Sequence, residues 1–374
     1  MEKEITISPA EFKRRLDKNE VRFIFDLREK EDIEAMPIEG HVPIETLNVP
    51  RYQFVGEEEK YINKFPKDRE ITAICAHGDS SRYSAEQLRE QGYDAVSLGG
   101  GIDSWSAYYE TVKVSDSPLV YQSFRVARGC ISYLIASGGE AAVIDSARHF
   151  GHVLALAERL GVKVKYVLDT HLHADHISGG RELADRTGAA YFVNPADMGG
   201  ATVGYQPLAD GQKIRIGGSE IEVIHSPGHT PGSTSFLLDG KFLFTGDTIM
   251  KESIGRPDLG GRAEEWSALL HATLFKRFAR MPDETVALPA HATSIKEQDK
   301  SGIVKTTLGD ARRDRDLFRL HDLQAFTACV KENLPENPER YQEIRKVNLG
   351  LKAADEAGRK EMEIGKNLCG MVKR

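Results

Sequence analysis

The chain has 374 residues, 40% of them hydrophobic and 29% charged, with a formal net charge of -7. That length exceeds what one ordinary core serves and predicts two domains. The acidic balance argues against a general nucleic-acid binder, which shows a basic face, and no apolar run approaches a membrane span.

The start, Met1-Glu2-Lys3-Glu4, is acidic with no apolar signal region, which predicts a cytoplasmic protein. Ser8-Pro9-Ala10-Glu11 reads as a helix start, with Ser8 as cap, Pro9 at the first helical position and Glu11 returning a bond in a capping box. Val21 to Asp26, Ile71 to Cys75 and Ala95 to Leu98 read as short strands, and Ser81 to Gln91 as a helix stopped by Gly92. Alternating strands and helices imply a small, mostly parallel α/β sheet. Cys75 ends a strand, a short loop follows, and a helix begins. Successive backbone N–H groups in such a loop can curl around the sulfur, and the helix dipole adds positive potential. Both favour the thiolate, the nucleophilic form; a buried strand-end cysteine fits the same position.

Asp26-Leu27-Arg28-Glu29, Gly40-His41-Val42-Pro43, the Cys75 loop and Leu98-Gly99-Gly100-Gly101-Ile102-Asp103-Ser104-Trp105 follow one another in an order and spacing that resemble the rhodanese (sulfurtransferase) family. The resemblance implies a rhodanese-like α/β domain over residues 1–113. It implies that Cys75 carries a persulfide cradled by Ala76, His77, Gly78, Asp79, Ser80 and Ser81. Many members have arginine where this chain has Ser80.

Lys113 to Pro118 is polar and ends in proline, which predicts a linker over 114–118 and a second domain over 119–374. Ile131 to Ala136 and Ala141 to Asp145 read as paired strands, and His149 to Leu160 as a helix closed by Gly161. Val162 to Leu168 has the alternation of a half-buried strand. It runs into Asp169-Thr170-His171-Leu172-His173-Ala174-Asp175-His176. So many imidazoles and carboxylates in one turn point to a metal rather than to packing. His229 in Ser226-Pro227-Gly228-His229-Thr230-Pro231-Gly232, Asp247 after Phe242-Leu243-Phe244, and His291 after Leu288-Pro289 each sit where a strand gives way to a loop. All can therefore converge on one rim.

This order of motifs resembles the metallo-β-lactamase fold superfamily, which implies an αββα sandwich with its metal at a sheet edge; the expected fold class is thus α/β plus α+β. Two enzyme classes follow from the resemblance. Hydrolases of the glyoxalase II type would hold two Zn(II), one on His171, His173, His229 and Asp247, the other on Asp175, His176, Asp247 and His291. Persulfide dioxygenases would hold one Fe(II) per chain on His171, His229 and Asp247, with His173, Asp175, His176 and His291 orienting ligands or substrate. The flanks, including Gly255-Arg256-Pro257-Asp258, Asn333-Leu334-Pro335 and Cys369-Gly370, look more like the dioxygenases. That resemblance implies a low-molecular-weight thiol persulfide and O2 as substrates, with sulfite or thiosulfate exchanging sulfur at Cys75 and Arg256 as a substrate contact. A homo-oligomer is compatible with it. A sulfur-sensing or scaffold protein is the non-enzymatic alternative.

Other residues read as structural. Trp266, Leu269, Leu270, Leu274 and Phe278 form an apolar helical face. His149, His152, His271 and His321 fit surface or packing roles. Cys130 reads as a packed thiol near the site mouth, Cys329 as core, and Cys369 as an exposed terminal thiol. The four cysteines form no Cys-x-x-Cys pair, which argues against a disulfide framework or zinc knot. The charged, helix-rich stretches Arg312 to Arg319 and Arg340 to Lys346 carry no functional signal.

Overall fold

The structure, a computed structural model, describes residues 4–336, 340–365 and 367–371. Met1 to Lys3, part of the acidic start, lie outside the described residues. The chain divides into two compact units: Met1–Glu110 with Arg125–Arg128 and Ser294–Lys296, and Thr111–Phe124 with Gly129–Thr293 and Glu297–Arg374.

The first unit is a five-stranded sheet in the order Thr6–Ile7, Ala95–Leu98, Ile71–Ile74, Phe23–Asp26, Glu45–Asn48, with parallel pairing throughout. Phe23, Phe25, Phe54, Phe65 and Tyr93 pack largely edge to face on it. Ser8 caps the helix Pro9–Asp17 by accepting from the Glu11 N–H at 3.2 Å. The Glu11 carboxylate, expected to close a capping box, pairs instead with Arg14 and Arg15, whose hydrogen bonds hold its pKa down to about 2. The Asp26-Leu27-Arg28 run holds a buried ion pair: Arg28 donates to both Asp26 oxygens and to the carbonyls of Asp32 and Met36, fixing the helix Lys30–Ala35.

The second unit holds two sheets. The seven-stranded one runs Gln206–Pro207, Ala190–Val193, Lys163–Leu168, Glu140–Ile144, Ile131–Ser137, Leu119–Arg125, Tyr109–Asp116. The six-stranded one runs Lys213–Ile216, Ser219–His225, Thr234–Leu238, Phe242–Gly246, Val286–Pro289, Thr306–Thr307. Tyr133 of the first meets Phe244 of the second with ring centroids 4.9 Å apart. Helices Gly151–Leu160 and Gly180–Thr187 contribute Val153, Leu156, Leu183 and Ala184 to the core on the first sheet. Helices Ala263–Ala272 and Leu323–Glu332 contribute Leu270, Phe326 and Val330 to the core on the second. The result is the expected αββα sandwich. Trp266, Leu270, Leu274 and Phe278 are buried, and His271 and His321 pack on Phe275.

Two boundaries differ from expectation. Lys113 to Pro118 is not a linker: Tyr109–Asp116 is an edge strand beside Leu119–Arg125, and the polar segment is its last stretch and turn. Only Tyr109 of that strand is buried, and its apolar alternation is confined to Val112 and Val114. The helix expected from His149 begins at Gly151, leaving His149 ahead of it.

His152 is half-buried in this helix, and burial pulls its pKa from 6.5 down to about 4. The unfolded chain therefore takes up a proton before the folded one, and stability falls as pH drops from 6.5 toward 4. His152→Gln is expected to flatten that slope by about 1–2 kcal/mol, discounted for partial exposure. Urea midpoints of the two proteins across that pH range measure it.

Candidate functional site

Each residue of the metal-type cluster sits just beyond the end of a strand. His171, His173, Asp175 and His176 follow Lys163–Leu168, His229 follows Ser219–His225, Asp247 follows Phe242–Gly246, and His291 follows Val286–Pro289. All seven side chains are at most 2% exposed.

His171, His229 and Asp247 converge. Asp247 Oδ2 lies 3.4 Å from His229 Nε2 and 3.7 Å from His171 Nε2. Asp247 Oδ2 and His171 Nε2 are buried without a hydrogen-bond partner among the described residues. Both rings are held by their other nitrogen. His229 Nδ1 donates to the Arg256 carbonyl at 2.9 Å. His171 Nδ1 meets Thr170 Oγ1 at 2.9 Å, and that hydroxyl spends its own proton on Asp145. Each imidazole is thus fixed in the tautomer that leaves Nε2 bare. Burial, and for His171 the neighbouring His173 as well, hold both pKa values below the ordinary range. Burial works against the Asp247 carboxylate, but the surrounding imidazoles outweigh it and keep it ionised. Two neutral imidazoles and one carboxylate, aimed at one point with orphaned donor atoms, fit a divalent metal ion.

The remaining four residues have other principal partners, and His291 also reaches Asp247. His173 Nε2 is 3.2 Å from Asp145 Oδ1, with its ring 4.3 Å from that of His171. His291 bridges two carboxylates, with Nδ1 2.6 Å from Asp247 Oδ1 and Nε2 3.0 Å from Asp175 Oδ2. His176 Nδ1 lies 3.1 Å from both Asp175 oxygens. Burial lowers the His176 pKa, but Asp175 and Cys130 outweigh it and raise it to about 10; His291 is raised likewise by Asp175 and Asp247.

Several supports carry no motif. Asp145 has a positive φ of 52°, rare for a residue with a side chain. It accepts from Thr170 N, Thr170 Oγ1 and His173. Asp197 ties two loops together, accepting from Leu172 N, Thr230 Oγ1 and Gly232 N. The C-terminal segment grips the same turn: Asn348 donates to the carbonyls of His173 and His176, Glu363 accepts from Ile177 N, and Asn367 donates to Asp175. Because Asp145 orients two of the imidazoles, Asp145→Asn is expected to weaken metal binding about 10–100-fold with the fold retained. Competitive titration against a chelator measures it.

Three expectations are corrected. Arg256, expected to contact substrate, is fully buried and all its guanidinium nitrogens are engaged, by Asp258 and the carbonyls of Pro335, Glu336 and Leu368. Its backbone carbonyl orients His229 instead. Gly255 permits this approach, since a Cβ there would lie 2.3 Å from the Asp247 carbonyl oxygen and 2.8 Å from His229 Nδ1. Cys369, expected at the surface, is fully buried; its N–H donates to Asn367 and its sulfur lies 3.7 Å from Tyr341 Oη. Burial and the nearby Asp175 push its pKa well up. Cys329, expected in the core, is only partly buried.

In the first unit, Cys75 is 6% exposed at the end of Ile71–Ile74, and the helix Asp79–Glu90 starts just beyond it, two residues earlier than expected. Its sulfur accepts from Gly78 N at 3.1 Å and Ser81 N at 3.3 Å, and Ser81 Oγ lies at 3.2 Å. Ser97 donates to Ser81 Oγ, which leaves the single Ser81 proton to choose between the Gly78 carbonyl and the sulfur. Of the six loop residues, Gly78 and Ser81 make the hydrogen bonds to sulfur. Ala76, His77 and Asp79 are exposed and Ser80 is half-buried; His77 pairs outward with Asp103 at 2.7 Å.

The chain was compared with known proteins. Residues 125–291 match the metallo-beta-lactamase superfamily and residues 8–108 the rhodanese-like domain. A hydroxyacylglutathione hydrolase of Acidiphilium cryptum is 35% identical over 164 residues, which cover 44% of this chain and 65% of that protein, just under two thirds of its length. One from Xanthomonas axonopodis pv. citri is 35% identical over 202 residues, 54% of this chain and 74% of that protein. The crystal structure of ETHE1 from Myxococcus xanthus shares the fold, with a TM-score of 0.53 and 24% identity over 65% of this chain and 99% of that one. With the sandwich, its rim of imidazoles and carboxylates and these matches together, the chain belongs to the metallo-beta-lactamase superfamily and carries a rhodanese-like domain ahead of it.

Proposed function

We propose that this protein oxidises a low-molecular-weight thiol persulfide, such as glutathione persulfide, with dioxygen to sulfite and thiol, using one Fe(II) held by His171, His229 and Asp247. We further propose that Cys75 exchanges sulfane sulfur among persulfide, thiosulfate and sulfite. The observation that carries the first reading is the division of labour on Asp247. Its Oδ1 is taken by His291 Nδ1 at 2.6 Å, so Oδ2 alone faces the two imidazoles, while His173 is turned to Asp145. A carboxylate used in this way supports the reading with one ion.

The reaction balances with one persulfide, one dioxygen and one water giving one thiol, one sulfite and two protons. The outer sulfur gives four electrons and dioxygen takes four. Ferrous iron in a triad of two histidines and a carboxylate supplies open positions and redox chemistry toward oxygen. The chain's own contribution is orientation and enclosure. Thr170 and the Arg256 carbonyl hold the two rings, and the buried rim keeps bulk water from the sulfur. Asp175, His176 and His291 place hydrogen-bonding groups beside the triad, suited to orienting an anionic persulfide.

At Cys75, attack of the thiolate on thiosulfate breaks its S–S bond and releases sulfite, leaving the outer sulfur on Cys75. A thiol then removes that sulfur as its own persulfide. The N–H groups of Gly78 and Ser81 stabilise the negative sulfur before and after transfer.

Hydrolysis of a glutathione thioester is the second reading, favoured by the named hydrolase relatives and by the presence of every imidazole and carboxylate a two-zinc site needs. Anaerobic loading with Fe(II), followed by glutathione persulfide in an oxygen electrode, separates the two. Equimolar oxygen uptake and sulfite formation are expected. No uptake, with rapid thioester cleavage by the zinc-loaded protein, would replace the dioxygenase by the hydrolase.

A further inference from the structure

In the rhodanese-like unit, one histidine of the Cys75 loop is oriented as a base and has no part yet in the sulfur chemistry. We propose that His77, held by Asp103, takes the proton from the thiol that removes sulfur from Cys75. This deepens the sulfur-transfer reading of Cys75 and rests on it, since that exchange must move a proton.

The loop and the next helix are packed so that the pair forms beside the sulfur. Gly78 N donates to the Cys75 sulfur at 3.1 Å, and His77 is bonded to that nitrogen through its own carbonyl carbon. The His77 Cα is therefore at most about 5.5 Å from the sulfur. The start of the helix Gly101–Ser106 closes on the same loop: Ile102 N donates to the Cys75 carbonyl at 2.9 Å and Asp103 N to the Ala76 carbonyl at 3.1 Å. A Cβ on Gly101 would lie 2.3 Å from the Cys75 carbonyl oxygen, and one on Gly78 would lie 2.7 Å from Gly100 N, so both close approaches require glycine. Asp103 Oδ2 arrives in this way 2.7 Å from His77 Nδ1.

The pair has the polarity of a base. An ionised carboxylate only accepts, so Nδ1 carries the ring proton and Nε2 keeps its lone pair. The His77 side chain is 71% exposed, which leaves Nε2 open to a group arriving from solvent. The other charged groups on the elements around the loop are Asp79 and Arg82, at the start of the helix Asp79–Glu90. Arg82 does not release its proton and donates to Glu86 at 3.0 Å. Exposed ion pairs add little to stability, so folding alone gives no strong reason for the His77–Asp103 contact.

The step is one proton transfer and one sulfur transfer. The acceptor thiol gives its proton to His77 Nε2. Its thiolate attacks the outer sulfur of the protonated persulfide, Cys75–S–SH, and forms a new S–S bond. The old S–S bond breaks, and its electron pair returns to Cys75 as thiolate, which the N–H groups of Gly78 and Ser81 stabilise. The outer sulfur leaves as the acceptor's own persulfide, the imidazolium passes its proton to solvent, and there is no net oxidation. A free thiol is only a few per cent ionised at neutral pH, so presenting it as thiolate raises the rate by up to about 30-fold. Sulfite as the dianion has no proton to lose and gains nothing from the base.

The test uses full-length protein loaded on Cys75 with thiosulfate or glutathione persulfide and freed of donor. The protein persulfide, read by intact mass, is then discharged in single turnovers by glutathione or by sulfite at a pH where it is the dianion. His77→Gln is expected to lower the glutathione rate relative to the sulfite rate by about 10–30-fold near neutral pH. The deficit should shrink as pH rises through about 8.5, where the acceptor ionises unaided. Asp103→Asn should give a smaller deficit with the same pH shape, as expected of a positioning residue. A ratio equal to that of wild type, equal losses with both acceptors, or a deficit unchanged at high pH would each overturn the proposal. Should His77→Gln fail to fold, Asp103→Asn carries the same comparison. A wild-type chain that takes sulfur on Cys75 from neither donor would defeat the sulfur-transfer reading itself, whereas a loaded chain with an unmoved ratio defeats only the base.

Discussion

Asp247→Ala is expected to lose iron binding and persulfide-dependent oxygen uptake together. The carboxylate faces His171 and His229 through Oδ2, at 3.7 and 3.4 Å. Removing an outer partner of a metal ligand costs about 10–100-fold in affinity, and removing the ligand itself should exceed that range. The same substitution strips His291 of its 2.6 Å partner inside a buried network. Breaking a buried ion pair from one side costs about 3–5 kcal/mol, so the metal-free variant should also unfold at lower denaturant. Asp247→Asn separates the effects, since it keeps an oxygen and the shape while removing the charge. Iron content after anaerobic loading, oxygen uptake and urea midpoints measure the three consequences. Full iron occupancy in Asp247→Ala would mean that the triad is not the iron site.

Cys75→Ser is expected to end sulfane-sulfur transfer, with a loss on the order of 10³-fold or more, as for removal of a covalent nucleophile. A serine hydroxyl cannot store the transferred sulfur as a persulfide. Ser81→Ala provides the graded comparison. It removes the hydroxyl 3.2 Å from the sulfur but keeps the Ser81 N–H and Gly78 N–H. One hydrogen bond to a charged group is worth about 1.5–3 kcal/mol, so the expected loss is about 10–100-fold. Sulfite release from thiosulfate, and the mass of the protein after donor treatment, report both. Because Cys75 and the triad belong to different compact units, oxygen uptake should follow iron content rather than the state of Cys75. Uptake that vanishes in Cys75→Ser at full iron loading would contradict two separate reactions.

The residues with chemistry were legible because they stand at strand ends, where short apolar runs stop at His, Asp or Cys. The supports were not. Asp145, Asp197, Asn348, Glu363 and Asn367 reach the metal-type turn from distant segments, and an isolated Asp or Asn has no pattern that tells a long-range bond from a turn. The strand Tyr109–Asp116 hid for a related reason: an edge strand with little burial keeps a polar composition, and the proline at its turn suggested a linker. The substrate contact expected of Arg256 came from the family resemblance of its flank, whereas here its charge is spent on Asp258 and the carbonyls of Pro335 and Glu336. Cys369 was judged by its nearness to the chain end, which says nothing of burial. The C-terminal segment, which offered no functional signal in sequence, proves to be part of the scaffold of the metal-type turn.

The most direct measurement is persulfide-dependent oxygen uptake as a function of iron bound per chain, with zinc assayed in the same samples. Uptake rising in proportion to Fe(II), levelling at one iron per chain and absent where zinc fills the triad, is the expected result. Activity that follows zinc, or that appears only once two ions share the cluster through Asp247, would contradict a single ferrous centre.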